Sequence, residues 1–453
     1  MASEDQCNDL KIENTLLKER IEQLENLLIH DPHTGLPVRR ILEKNLKNLL
    51  ETAGVNGEKI GFGILRLDKH YNRIRHTRDK MKVFLFMTAM RVKEIIGEHN
   101  LYQSDRTDEF LLIVRNVEDE KHLASIADEI SAAIRRPHAP PASDISFGCN
   151  IGMALYPYHG KTATEIMVNA DIALGIFETK KEHGYVYRPE LGKRYHENLD
   201  IESKLFNTIQ KGLSEFHIVY QPIINTEREV TACEALIRWD SPHFGPIPPL
   251  RFIPIAEESG SIKILGRWIL YNSLRQIRRW IDLTGQDMAV SVNVSPIQLQ
   301  SFDFTESVFE ALHSLKLDGK NLFLEVTESA IMEEPKEAVN KFHDLQENGI
   351  DILLDDFGTG YSSLEYLSSL PLNTLKIAKP FIDNMHENSK SMEIVKTIIA
   401  MSRNFNFKTL AEGVEHEFQM DELLQLGCDY IQGYYISPPL DPIEFESKYF
   451  PQA

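Results

Sequence analysis

From residue 216 onward the chain repeats one grammar, a short apolar run that ends in polar residues. FHIVYQPI (216–223), TACEALIRW (231–239), MAVSVNVS (288–295) and LFLEVTE (322–328) follow it. So do IDILLDD (350–356), TLKIA (374–378), KTLAEGVE (408–415) and YIQGYYIS (430–437). Apolar runs of this length rich in β-branched residues predict strands buried on both faces. Helical periodicity fills gaps between them, at Arg267–Thr284, Phe304–Leu315, Lys336–Asn348 and Ser391–Asn404. Eight strands with intervening helices over roughly 250 residues predict an α/β domain built as a (β/α)8 barrel. The preceding stretch has a different rhythm. Strands are expected at Ile60–Leu67, Glu109–Val114 and Ser146–Leu155, and helices at Lys80–Gly97, Leu123–Arg136 and Ala163–Lys180, which makes a separate α+β domain. Tyr195–Glu215 reads as a linker helix. At the N-terminus Leu10, Leu17 and Leu24 recur every seven residues beside a second row of Asn14, Ile21 and Leu28. That seam predicts a parallel coiled coil over residues 1–29, and hence a homodimer. The expected domains are 1–29, 30–194 and 195–453.

Composition narrows the function. With 68 acidic and 49 basic residues the net charge is −19, the wrong sign for a nucleic-acid binder. No apolar run reaches the roughly 18 residues that span a bilayer, and MASEDQCNDLK lacks the basic-then-apolar order of a secretory signal. Four scattered cysteines fit reduced thiols, so a cytoplasmic location is expected.

Barrel enzymes carry their chemistry at the C-terminal ends of the strands, and here those ends collect acids. In ILLDDFGTGYSSL (352–364) an apolar run delivers Asp355 and Asp356 side by side, followed by Gly358 and Gly360. An acid before a glycine is more often a helix cap. This one has company: Glu234, Asn293, Glu325, Lys376, Glu412, Glu415 and Gln432 end other strands. Converging carboxylates repel unless a cation lies among them, and hard oxygen donors suit Mg²⁺ or Mn²⁺. A lysine among them can hold a nucleophilic water or neutralise phosphate, and Arg238 can clamp phosphate bidentately. The set predicts a metal-assisted phosphodiester hydrolase using a pair of ions.

YQPI, EALIRW, VNVSPIQL, LEVTES, DDFGTGYSSL, LKI, AEGVE and QGYYISPPL, spanning about residues 200–445, resemble the EAL domain family, which hydrolyses cyclic di-GMP to linear pGpG. The resemblance implies metal ligands at Glu234, Asn293, Glu325 and Asp355, with Asp356 reaching a second ion. It implies Lys376 at the nucleophilic water, Glu412 as general base, and Glu415 and Gln432 in support. Gln221, Leu236 and Arg238 are implied as dinucleotide contacts, and Glu328 as the brace of the DFGTGYSS loop. One position departs: Lys376-Ile377-Ala378 stands where the family reads Lys-Ile-Asp. Losing that carboxylate weakens the second metal position, so the alternative is a catalytically silent receptor that binds cyclic di-GMP and signals to a protein partner.

Residues 30–190, with HDPHTGLPVRR and RTDEF (106–110), resemble a GGDEF domain of the diguanylate cyclase family with a damaged signature. Arg106 and Thr107 replace the glycines that admit phosphate, and Arg66 replaces the first metal-binding aspartate. Arg75 and His76 stand at nucleobase-contacting positions, and Gly97 and Asn100 at those of the product-inhibition motif. Asp108 and Glu109 remain as residues of the fold. The resemblance then implies a regulatory or dimerising domain without cyclase activity.

Overall fold

The computed structural model describes residues 29–68, 78–136, 148–180, 185–333, 335–358, 367, 370–386 and 389–451. The heptad rows up to Leu28, together with Arg75 and His76, lie outside the described residues. The chain divides into two units, Met1–Asn198 and Leu199–Ala453.

The first unit runs α1 (Arg39–Asn56), β1 (Ile60–Leu67), α2 (Arg78–Ile96), β2 (Leu101–Gln103), β3 (Glu109–Val114), α3 (Glu120–Arg135), β4 (Cys149–Tyr156), α4 (Ala163–Lys180) and β5 (Tyr185–Val186). Its sheet is ordered β2-β3-β1-β4-β5, with β1 antiparallel to both neighbours. Alternation along β1 feeds two cores. Leu65 and Leu67 pack with Phe84 and Ile130 of α2 and α3 on one face, and Phe62 and Ile64 with Leu42, Leu46 and Ile166 of α1 and α4 on the other. A strand covered on both faces has no polar side to show, which is why IGFGILRL is almost wholly apolar. The expectations for this unit did not include α1, although Leu42, Leu46, Leu50 and Ala53 mark its buried stripe at helical spacing.

A long helix, α5 (Pro189–Gln210), leads into the second unit and begins six residues before the expected linker. The second unit then runs β6 (Phe216–Ile224), β7 (Val230–Ser241), β8 (Gly245–Ile247), α6 (Pro249–Glu258), α7 (Ile262–Thr284), β9 (Ala289–Asn293), α8 (Pro296–Leu299), α9 (Phe304–Leu315), β10 (Leu322–Thr327), α10 (Glu328–Glu333), α11 (Pro335–Glu347), β11 (Asp351–Phe357), β12 (Thr374–Ile377), α12 (Lys379–Asp383), α13 (Ser389–Asn404), β13 (Lys408–Ala411), α14 (Glu417–Leu426), β14 (Tyr430–Ile431) and α15 (Pro442–Tyr449). Every one of the eight expected strands is present. The order β6-β14-β13-β12-β11-β10-β9-β7, closed by a β6–β7 pairing, makes a barrel, with β8 appended to β7.

One strand runs the other way. β6 is antiparallel to both β7 and β14, while the other neighbours in the ring pair in parallel. The reason is local: only residues 225–229 join β6 to β7, far too few for the crossover a parallel pair needs. Consequently Phe216, the start of β6, lies beside Trp239 near the C-terminal end of β7. Inside the barrel Ile223, Ala232, Ala289, Leu353 and Leu410 form an apolar cluster with Phe323 and Tyr430 packed on it. A larger core fills the space between strands and outer helices, from Val290 and Leu354 to Leu274, Phe342 and Phe445. The basic stretch of α7 is an exposed face whose charges are answered locally: Arg267 pairs with Asp303, Arg278 with Asp282 and Arg279 with Glu446.

Candidate active site

The interior cluster sets the floor, and two residues further, toward the C-terminal ends of the parallel strands and the N-terminal end of β6, the inward side chains become polar. On β7 the two-residue period puts Glu234, Leu236 and Arg238 on one face. Across the antiparallel pair Gln221 is opposite Glu234, and Val219 opposite Leu236. Going round the barrel, Glu325 is in register with Asn293, and Lys376 with Leu410. The ring is thus built from residues in or one past the eight strands of the barrel.

Lys376 is at its centre, 1% exposed, with a side chain that bonds Glu325 and Glu412 and lies 3.2 Å from Asp355 Oδ1. Glu325 is also 1% exposed. Its Oε2 takes Lys376, while its Oε1 is buried with no hydrogen-bond partner. Glu234 is held from two sides: Asn293 Nδ2 donates to Oε1 at 2.8 Å and Gln432 Nε2 to Oε2 at 2.6 Å. The same Gln432 amide reaches Gln221 Oε1 at 3.0 Å, and Gln221 Nε2 donates to the Ser437 carbonyl at 3.1 Å. Gln432 Oε1 and the inward hydroxyl of Ser291 are likewise buried without partners. Leu236 and Arg238 are half-buried, Arg238 donating to the Ile237 carbonyl at 2.9 Å.

The electrostatics follow from crowding. Burial penalises the ammonium of Lys376, but Glu325, Glu412, Glu234 and Asp355 outweigh it and hold its pKa well above the ordinary value. Burial raises Glu325 well above a normal carboxyl, Glu234 pushes the same way, and Lys376 opposes. Burial likewise pushes Glu412 up to about 7, against the pull of Lys376 and with Asp355 and Glu234 adding to the rise. One cation faces four acids.

A divalent ion fits this donor set. Oxygens of Glu234, Glu325 and Glu412 lie within 4.8 Å of one another, all are hard donors, and the unpaired Glu325 Oε1 is an atom that a buried site leaves bare at a cost of about 1–3 kcal/mol.

The remaining expected residues are Asp356, Glu328 and Glu415. Asp356 belongs to β11 one residue past Asp355; its side chain lies outside the described residues, as does the 359–366 loop. Glu328 opens α10 and keeps Oε1 buried without a partner. Glu415 is not with the acids: it is exposed and ion-paired to Lys379, whose hydrogen bond holds its carboxyl below the ordinary range. Lys379 was not among the expected residues. Its aliphatic stem lies across Gly413, at φ 72°, where a Cβ would meet Lys379 Cγ at 2.4 Å. The absence of a side chain at Gly413 lets Lys379 reach Glu415. Ser291 was also passed over, though its place two residues before Asn293 assigns it to the inward face. Ala378 is fully buried, the N-cap of α12 with no side-chain cap.

The first unit has its own acid corner, organised differently. Arg66 donates to Glu109 Oε2 from Nε and Nη2 at 2.9 and 2.8 Å, and Ser104 Oγ bonds Glu109 Oε1 at 2.6 Å. Arg106 forks onto Asp108 at 3.1 and 3.0 Å. Gly97, at φ 94°, ends α2, and Asn100 Nδ2 donates to the Ile96 carbonyl at 2.6 Å, so these two residues cap a helix.

Among the described residues no helix is long and apolar enough to cross a membrane. The family model described as EAL domain matches residues 203–439, and that described as diguanylate cyclase, GGDEF domain, matches 28–184. The bifunctional diguanylate cyclase/cyclic di-GMP phosphodiesterase MucR of Pseudomonas aeruginosa is 32% identical over 433 residues, covering 94% of this chain and 62% of MucR. The cyclic di-GMP phosphodiesterase PdeR of Escherichia coli is 31% identical over 434 residues, covering 94% of this chain and 64% of PdeR. The chain therefore spans less than two thirds of either relative. The solved structure of PaMucR phosphodiesterase in complex with c-di-GMP is 37% identical, with a TM-score of 0.51, and covers 53% of this chain and 99% of that one.

Proposed function

The chain belongs to the EAL domain family, with a GGDEF domain ahead of its barrel, and we propose that it hydrolyses cyclic di-GMP to linear pGpG with two divalent ions, Mg²⁺ or Mn²⁺. The observation that carries this reading is the charge count around Lys376: one buried ammonium among Glu325, Asp355, Glu412 and Glu234. A receptor that only holds an anionic dinucleotide gains nothing from a surplus of buried carboxylates, whereas a site for cations requires it.

Glu234, Asn293, Glu325 and Asp355 would hold one ion, and Asp356 would reach the second. Bound ions supply Lewis acidity at the phosphate and make a nearby water more acidic. Arg238, Leu236 and Gln221, aligned along the β6–β7 pair, bind the dinucleotide and fix which phosphate faces the acids. Glu412, with a carboxyl poised at about 7, accepts the proton of the attacking water. Lys376 orients that water and keeps Glu325, Asp355 and Glu412 at fixed spacing. The water oxygen bonds to phosphorus, the bond to the 3′ oxygen breaks, and that oxygen takes up the proton Glu412 received and leaves as the 3′ hydroxyl of pGpG. Gln432 locks Glu234 and Gln221 together, Glu415 steadies the β13–α14 loop through Lys379, and Glu328 braces the loop after Asp356.

In the GGDEF domain the proposal is absence of cyclase chemistry. Support comes from Arg66 and Arg106, whose guanidinium groups already occupy the oxygens of Glu109 and Asp108. That domain and the N-terminal heptads then act by setting the geometry of a homodimer.

The test is purified protein with cyclic di-GMP and Mn²⁺ or Mg²⁺, with pGpG resolved by chromatography and Glu412→Ala run alongside. Turnover by the native protein, lost in the variant, upholds the reading. The second reading, a silent receptor acting on a protein partner, is favoured by Ala378. It predicts metal-independent binding with no pGpG from either protein.

A further inference from the structure

Between the linker helix and the dinucleotide-binding strand lies a network that the reaction itself does not use. Lys204, on the second half of α5, reaches Glu215 Oε1 at 2.6 Å. Glu215 sits in the turn between α5 and β6, and its Oε2 accepts from Trp239 Nε1 at 3.0 Å. The backbone repeats the tie, since Asp240 N–H donates to the Glu215 carbonyl at 3.0 Å. These are covered groups: the side chains of Lys204 and Glu215 are 23% and 14% exposed, and Trp239 is 1% exposed.

The indole is fixed on every side. Phe216 stacks on it at 5.0 Å and Phe252 meets it edge-on at 5.5 Å. Trp239 follows Arg238 on β7, and the registers Phe216–Trp239, His217–Arg238 and Gln221–Glu234 run from this corner to the acid ring. Successive residues of a strand point to opposite faces, so Trp239 packs outward against the core while Arg238 faces the mouth. The position of one sets the position of the other.

The helix side is anchored too. Ile201 and Leu205, one turn apart on the face that carries Lys204's neighbours, are 2% and 1% exposed within the barrel's outer core. The division between the two units falls between Asn198 and Leu199, inside α5. A single helix therefore begins in one unit and ends in this network.

We infer that Lys204, Glu215 and Trp239 form a latch through which the linker helix sets Arg238, so that movement of that helix regulates dinucleotide affinity at the mouth. The inference rests on the mouth binding cyclic di-GMP, as proposed above. Lys204 and Glu215 are positioning residues. Pulling Lys204 away leaves a covered carboxylate without its cation, held by Trp239 and Thr208 alone, and Glu215 then turns toward solvent and releases the indole. The end of β7 loosens, and Arg238 with it. The acid ring, held by its own hydrogen bonds, is left in place.

The test is cyclic di-GMP binding to the full chain by calorimetry, with turnover in parallel, for the native protein and for Lys204→Met, Lys204→Arg, Arg238→Ala and the Lys204→Met/Arg238→Ala double variant. Lys204→Met is expected to weaken binding and raise KM about fivefold, with kcat within about twofold, a size typical of coupling between groups in one network. Lys204→Arg restores native affinity, because a guanidinium can still bond Glu215. In the Arg238→Ala background Lys204→Met adds nothing, since the residue it acts through is gone. Additive losses in the double variant overturn the latch, as does a lowered melting temperature with unchanged affinity. Failure of the native protein to bind cyclic di-GMP overturns the reading of the mouth and the latch with it. Native binding with unaffected Lys204→Met overturns the latch alone.

Discussion

Among the described residues, two acid corners are balanced in different ways. In the first unit Glu109 is gripped by Arg66 and Asp108 by Arg106, with Asp171 3.9 Å from Arg66 and Glu109 4.0 Å from Arg106. In the barrel a single ammonium, Lys376, is shared by Glu325, Asp355 and Glu412 with Glu234 close by. A corner whose acids are already forked by guanidinium groups has little call for another cation. A corner with surplus buried negative charge pushes its carboxyl pKa values up, as Glu325 and Glu412 show. Counting charges, rather than counting acids, separates a structural ion pair from a site.

The sharpest way to break this contrast is Glu412→Ala in the barrel. Turnover is expected to fall by about 10²–10⁴-fold, the usual contribution of a general base, with cyclic di-GMP binding kept; pGpG formation read by chromatography decides it. Near-native turnover would remove Glu412 from the chemistry.

Next in size is Arg66→Ala in the first unit. Glu109, with a side chain 8% exposed, is left without its fork, at a cost of about 2–4 kcal/mol. Chemical denaturation should show the first unit unfolding earlier, while barrel activity in the metal-saturated protein is retained. An unchanged transition would mean that the pair contributes nothing.

Acidity offers a third handle. Glu325 and Glu412 have folded pKa values above their unfolded ones, Glu412 at about 7. Their contribution to stability is therefore most favourable at low pH and is lost as pH rises from the unfolded value, about 4.3, through 7. The metal-free barrel should melt lower at pH 8 than at pH 6, and Mn²⁺ should raise the melting temperature more at pH 8, because ions displace the protons. Equal metal effects at both pH values would contradict the proton inventory.

Ala378→Asp comes fourth. It returns a carboxylate beside the acid ring and also supplies the missing side-chain cap of α12. Turnover at limiting metal is expected to rise about tenfold, near 1.4 kcal/mol, and a metal titration of initial rates checks it. The smallest effect is expected from Arg106→Ala, whose side chain is 57% exposed. The loss should be about 0.5 kcal/mol or less, set against Arg66→Ala in the same denaturation experiment.

Much of the barrel was legible because its rule is local. Apolar runs ending in acids marked β7, β10 and β11, and helical spacing marked α9 to its last residue. Strand lengths read less well. YIQGYYIS yields only Tyr430–Ile431 as strand, since after Gln432 the chain turns back to pair Leu440 with Tyr220. The direction of β6 was hidden because alternation along a strand is the same read either way; only the brevity of residues 225–229 told of it. At the site, period two placed Glu234, Leu236 and Arg238 on one face. Glu415 was misplaced by the same logic: it follows β13 by four residues, beyond the strand's control, and the deciding partner, Lys379, comes from another element.

The apolar cluster beneath the acids has a further meaning for traffic. Ile223, Ala232, Ala289, Leu353 and Leu410 stopper the barrel from below, so among the described residues the acid ring is closed on that side. Under the proposed hydrolysis, product would leave by the same end of the barrel that substrate enters.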